Sequence, residues 1–66
     1  MGLKSARMKA GLKVYEVMHS LNVSDAAVYQ WEKGRTHPSF EHLKQLAELY
    51  GCTVDELLKE DRNNDT

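Results

Sequence analysis

Apolar residues recur along this chain at intervals of three and four, and no segment sustains the apolar/polar alternation of a half-buried strand. Val14, Val17, Met18 and Leu21 share one face of a helix, as do Val28 and Trp31, and as do Leu43, Leu46, Ala47 and Tyr50. Leu3 to Ala10 is a run of good helix formers. A last short helix buries Leu57 and Leu58. Gly11, Asn22, Gly34, Pro38 and Gly51 punctuate these segments. The pattern therefore predicts five short helices with short connections, an all-α domain. None of the five is long enough to be stable alone, so their apolar faces must meet. The expected core is Leu12, Val17, Leu21, Val23, Val28, Trp31, Leu43, Leu46, Ala47, Val54 and Leu57.

The helix starts carry their own signals. Ser24 and Ser39 are placed to accept an orphan amide of the turn that follows, and Asp25 suits the positive end of its helix. Thr53-Val54-Asp55-Glu56 reads as a capping box. Asn22 suits a left-handed turn, since its short polar side chain tolerates that backbone.

The chain has 66 residues, which is one small domain: residues 1–60, followed by a polar tail, 61–66. A domain this size buries only about 60% of its unfolded surface and leaves little room for a substrate pocket. Hydrophobic residues at 41% and charged residues at 29% are the balance of a folded globular chain. No apolar run spans a bilayer, and the N-terminal residues lack the apolar stretch of a secretory signal. Gly2 with Ala6 does not make the myristoylation pattern. The lone Cys52 cannot form an internal disulfide, so a reducing cytoplasm is the expected location.

Net charge is −1, but it is unevenly spread. Residues 1–35 carry six bases and three acids, and residues 36–66 carry three bases and seven acids. Such a chain can turn a basic face to an anion and an acidic face to solvent.

Two short helices joined by a tight turn at Asn22-Val23, the second apolar on one side only, have the anatomy of a helix-turn-helix. In that arrangement the second helix, residues 25–33 here, enters the major groove of DNA. With Val28 and Trp31 inward at ~100° per residue, Ala26, Tyr29, Gln30 and Lys33 point the other way. Ala26 and Ala27 are small enough to approach a thymine methyl, and Gln30 can bond an adenine edge. Tyr29 can reach a phosphate or pack on a sugar. Lys13, Lys33, Arg35 and Thr36 suit phosphate contacts, while Ser24 and Asp25 stand at the helix start.

Other chemistry is poorly supported. His19, His37, His42 and Cys52 do not have metal-ligand spacing, and no metal or other cofactor is expected. Ser24 and Ser39 could be written into a hydrolytic triad with a histidine, but capping explains both, and no nucleophile elbow or phosphate loop is present. The expected protein is not an enzyme, takes no small-molecule ligand and does not bind a membrane.

The run from Arg7 to Leu58, about four-fifths of the chain, resembles the Xre/Cro–CI family of helix-turn-helix regulators. The resemblance is carried by Arg7, Gly11-Leu12, Val17, Leu21-Asn22-Val23-Ser24, Val28, Trp31-Glu32-Lys33-Gly34, Pro38-Ser39, Leu43, Leu46-Ala47 and Thr53-Val54-Asp55-Glu56-Leu57. It implies a compact, lambda-repressor-like five-helix domain that binds double-stranded DNA sequence-specifically. It also implies a homodimer, formed in solution or only on DNA. The function it suggests is transcription regulation, as a small repressor acting by operator occupancy. It further implies a structural ion pair between Arg7 and Glu32, and, since Cys52 stands where the family usually has a small apolar residue, a buried thiol rather than a redox sensor.

The chain departs from the family at four positions: Val14 and Asp25 replace frequent glutamines, Met18 an alanine, and Asn22 a glycine. Val14 cannot touch a phosphate as a glutamine there does. Val14, Asp25 and the small Ala26-Ala27 pair thin the DNA-reading surface and keep an alternative open. That alternative is an antitoxin or adaptor that uses the acidic fourth and fifth helices to hold a protein partner.

Overall fold

A computed structural model of the chain describes residues 2–58; the expected tail at 61–66, and the fraying expected from Lys59 onward, lie outside the described residues. The described chain forms α1 (Leu3–Lys9), α2 (Val14–Leu21), α3 (Asp25–Lys33), α4 (Phe40–Tyr50) and α5 (Val54–Leu58).

The boundaries follow from local chemistry. Ser24 Oγ accepts from Ala27 N at 3.1 Å and Ser39 Oγ from His42 N at 3.2 Å, which caps α3 and α4. Ahead of α5 the Thr53 hydroxyl accepts from Glu56 N and the Glu56 carboxylate accepts from Thr53 N, both at 3.1 Å, so the box closes in both directions. The start of α2 is one-sided. Glu16 Oε1 accepts from Lys13 N at 2.8 Å, but the Lys13 ammonium has no lone pair to return the bond. At the far end of α2, Asn22 takes the left-handed conformation (φ 59°, ψ 48°), and its N–H donates to the Met18 carbonyl. Gly34 ends α3 the same way at φ 77°, a backbone that other residues rarely adopt without strain.

Val17, Val28 and Leu46, one each from α2, α3 and α4, are the largest fully buried side chains. Each is worth roughly 1.5–3 kcal/mol in removed apolar surface, more than any single cap. Ala6, Leu21, Ala47, Tyr50 and Leu57 complete the buried set. The expected core differs from this in three ways. Leu12, Val23, Trp31, Leu43 and Val54 are only partly buried and pack against the core from its edges. Ala6 and Tyr50 belong to the centre. Leu58 is 57% exposed rather than buried, because one residue on from Leu57 a helix has turned about 100°.

Helix α2 packs against α3 and α4, α1 bridges α3 and α4, and α5 closes on α4. The helix expected to read DNA is thus held from behind by α1 and α2. Trp31 adds a contact to α4, its ring 5.3 Å from that of His42 and tilted by 40°.

Candidate nucleic-acid interface

The clamp on the back of α3 is the best-defined polar feature of the structure. Arg7 Nε donates to Glu32 Oε2 at 2.7 Å, Nη2 donates to Oε1 at 3.4 Å, and Nη1 donates to the Leu12 carbonyl at 3.0 Å. The two side chains are 12% and 6% exposed. The hydrogen bond to Glu32 raises the Arg7 pKa against the opposing effect of burial. One guanidinium therefore ties α1, the turn after it and α3 together. Its planar fork fixes direction as well as distance, which an ammonium could not do. Tyr50 sits in the same field. Burial pushes its phenol up to about 12, with Glu32 adding to the shift and Arg7 opposing it.

On the opposite side of α3, Ala26, Tyr29, Gln30 and Lys33 are all exposed. At ~100° per residue they span about 100° of the helix circumference, one continuous stripe. Val28 is buried behind them, with Ala27, Trp31 and Glu32 partly buried. The structure therefore brings four of the expected DNA-contacting residues onto one face and sets Ala27 on its shoulder. Asp25 is exposed at the first helical position. Ser24 is exposed too, but its hydroxyl is engaged with Ala27 N. Arg35 and Thr36 are exposed in the connection after Gly34, and Lys13 is exposed at the start of α2. With nine residues, α3 is about 13.5 Å long, the right scale for a segment lying in a groove about 12 Å wide.

Two exposed aromatics escaped the sequence reading. Tyr15 is 56% exposed on α2, and Phe40 is 66% exposed at the first position of α4, with Lys44 Nζ 5.5 Å from its ring centroid. Tyr15 falls outside the apolar spacing of α2, and that mismatch is a signal the sequence carries; Phe40 shares the apolar spacing of Leu43 and Ala47, so its exposure at the first position of α4 has no such signal. Val14 is half-buried against the core, consistent with its apolar side chain. Cys52 is partly buried beside the α4–α5 turn, and burial, then Glu56, pushes its thiol pKa up. No helix among the described residues is long and apolar enough to cross a membrane.

Comparison with known proteins bears on the whole of this region. A family model described as helix-turn-helix matches residues 3–57. The HTH-type transcriptional regulator DdrOP3 of Deinococcus deserti is 37% identical over 57 residues, covering 86% of this chain and 44% of that protein. The HTH-type transcriptional activator BcrR of Enterococcus faecalis is 34% identical over 56 residues, covering 85% of this chain and 28% of that protein. Repressor protein C2 of Salmonella phage P22 is 32% identical over 59 residues, covering 89% of this chain and 27% of that protein. The chain thus spans less than half the length of each of these relatives. No solved structure matches at a significant level. The five-helix order, the turn at Asn22, the clamp behind α3 and the family match over residues 3–57 lead to one conclusion: the chain belongs to the helix-turn-helix family, of the Xre/Cro–CI type.

Proposed function

We propose that this chain is a DNA-binding transcription regulator that acts in the cytoplasm by laying α3 in the major groove of duplex DNA. The observation that carries the proposal is the two-sidedness of α3. Ala26, Tyr29, Gln30 and Lys33 are exposed on one side, and Glu32 is locked to Arg7 on the other. In this reading Gln30 bonds the N6 and N7 edge of an adenine, and Ala26 and Ala27 meet thymine methyls. Tyr29 packs on a sugar or donates to a phosphate. Lys13, Lys33, Arg35 and Thr36 hold the sugar-phosphate wall and set the register. Ser24 caps the helix at the groove edge, and Asp25 either does the same or accepts from a cytosine N4 amine.

One such module buries only ~600–1,000 Å² on DNA. We therefore assign a homodimer on two half-sites about 34 Å apart, joined through α5 and the loop before it. Leu58, 57% exposed, stands at the rim of a groove of about 290 Å³ whose lining includes Leu3, Trp31, Pro38, Leu43 and Leu57. Regulation by operator occupancy, as a repressor, is the mode we favour, since one relative is itself a repressor protein. The names of the relatives include an activator as well as a repressor, so the fold serves both signs.

A second reading, capture of a protein partner by α4, is favoured by Phe40, whose exposed ring carries Lys44 above it. Selection from a pool of random duplexes, repeated at two salt concentrations, separates the two. DNA reading predicts an enriched sequence whose binding weakens with salt. Absence of both enrichment and salt-dependent retention would give the lead to the protein-partner reading.

A further inference from the structure

The first residue of helix α2 offers no hydrogen-bond donor from its side chain, because Val14 is apolar and half-buried against the core. The next side chain, Tyr15, is 56% exposed although it is a large aromatic on a helix whose other apolar residues all pack inward. At ~100° per residue Tyr15 points well away from Val17 and Leu21, and His19, four residues on, shares its flank. The backbone that carries Tyr15 is held in place. Glu16, the residue after it, accepts from Lys13 N at 2.8 Å, and Glu16 N donates to the Lys13 carbonyl at 2.9 Å. When the second helix of such a unit occupies the groove, the first crosses the DNA backbone. A phenol is suited to that crossing. Its ring covers deoxyribose, and its hydroxyl donates to a phosphate oxygen.

We propose that Tyr15 supplies the side-chain contact of α2 to the DNA backbone, which its neighbour Val14 cannot provide. Tyr15 is thus a positioning residue, with no part in reading bases. The inference rests on the DNA-binding reading given above. A neutral hydroxyl displaces no counterion, so its contribution is distinct from that of Lys13 or Arg35.

The test measures binding of the full chain and of the Tyr15→Phe, Tyr15→Ala and Gln30→Ala variants, each on a selected duplex and on a random duplex at two salt concentrations. Phosphate-ethylation interference is mapped for each protein. Tyr15→Phe should weaken both duplexes several-fold and alike, leave the salt slope unchanged and erase interference at one phosphate per half-site. Tyr15→Ala should weaken binding further. Because the side chain is exposed, both variants should keep the thermal unfolding midpoint of the parent, which rules out a loss by misfolding. If Gln30→Ala weakens the selected duplex while both Tyr15 variants bind and footprint like the parent, the Tyr15 assignment is overturned and the DNA reading stands. If all three variants are silent, the DNA reading itself has failed. If the Tyr15 variants instead change the sedimenting species without DNA, the side chain belongs to a contact between copies of the chain, and the proposal is again overturned.

Discussion

Arg7 and Glu32 show how a single pair can decide whether α3 is a tool or only a helix. The pair is bidentate and mostly shielded from solvent, so breaking it leaves a partly buried charge without its partner. Glu32→Ala should cost about 1–3 kcal/mol, while removing both partners should cost less than the two single changes summed. Denaturant unfolding of the four members of that cycle checks this, and strict additivity would show that the two side chains do not interact in solution. Tyr50 offers an independent check of the same region. Its folded-state pKa of about 12 lies above the ordinary 10.0, so its neutral form is favoured by folding. Stability is therefore unaffected by this group below about pH 10 and falls as the pH rises toward 12, where the unfolded chain ionises first. Tyr50→Phe should flatten the decline of the melting temperature across that window. An identical alkaline profile for parent and variant would mean the phenol is not buried as described.

Among the elements, caps and turns matter most where helices are shortest. Ser39 accepts from His42 N and Asn22 holds a left-handed backbone at φ 59°, so each should be sensitive to alanine. Ser39→Ala should cost about 1 kcal/mol by losing the cap. Asn22→Ala should cost about 1–2 kcal/mol through backbone strain, whereas Asn22→Gly should be tolerated. Thermal unfolding of the three variants distinguishes strain from the loss of a side-chain contact. These were also the positions at which the sequence was most legible. Ser24, Ser39, the Thr53–Glu56 box, Asn22 and Gly34 mark their boundaries because capping and positive φ are local chemistry. The core was less legible. Periodicity gives the buried side of a helix but not the depth along it, so it does not tell that Trp31 and Leu43 lie at the edge of the core rather than its centre. Ala6 was overlooked because a small residue in a run of helix formers carries no hydrophobic signal of its own. Leu58 differs from its neighbour because α5 packs chiefly on α4, so its buried side takes Leu57 and leaves the residue about 100° further round in solvent.

At the scale of the molecule, the structure separates a helix held from behind from the surface that helix presents, and that division is what a groove reader needs. The outward stripe of α3 was legible from the sequence because 3.6-residue geometry alone separates Val28 and Trp31 from Ala26, Tyr29, Gln30 and Lys33. The exposure of Phe40 is not legible in the same way, since it shares the spacing of Leu43 and Ala47 and only the absence of a covering neighbour leaves it open. The assembly follows from the same arithmetic: a single module makes few contacts, so sedimentation on a two-fold operator should show two chains per duplex. A strict one-to-one complex on every tight site would count against the dimer. The central claim is that α3 reads bases while the connection after it only holds the backbone. The direct measurement is the affinity of Gln30→Ala and Arg35→Ala for a selected duplex and a random one across a salt series. Gln30→Ala should cost about 1–3 kcal/mol on the selected duplex alone and relax preference at one base pair. Arg35→Ala should weaken both duplexes alike and lower the salt slope by about one. If both variants stay folded and bind DNA as the parent does, α3 does not dock in the groove and the account is contradicted.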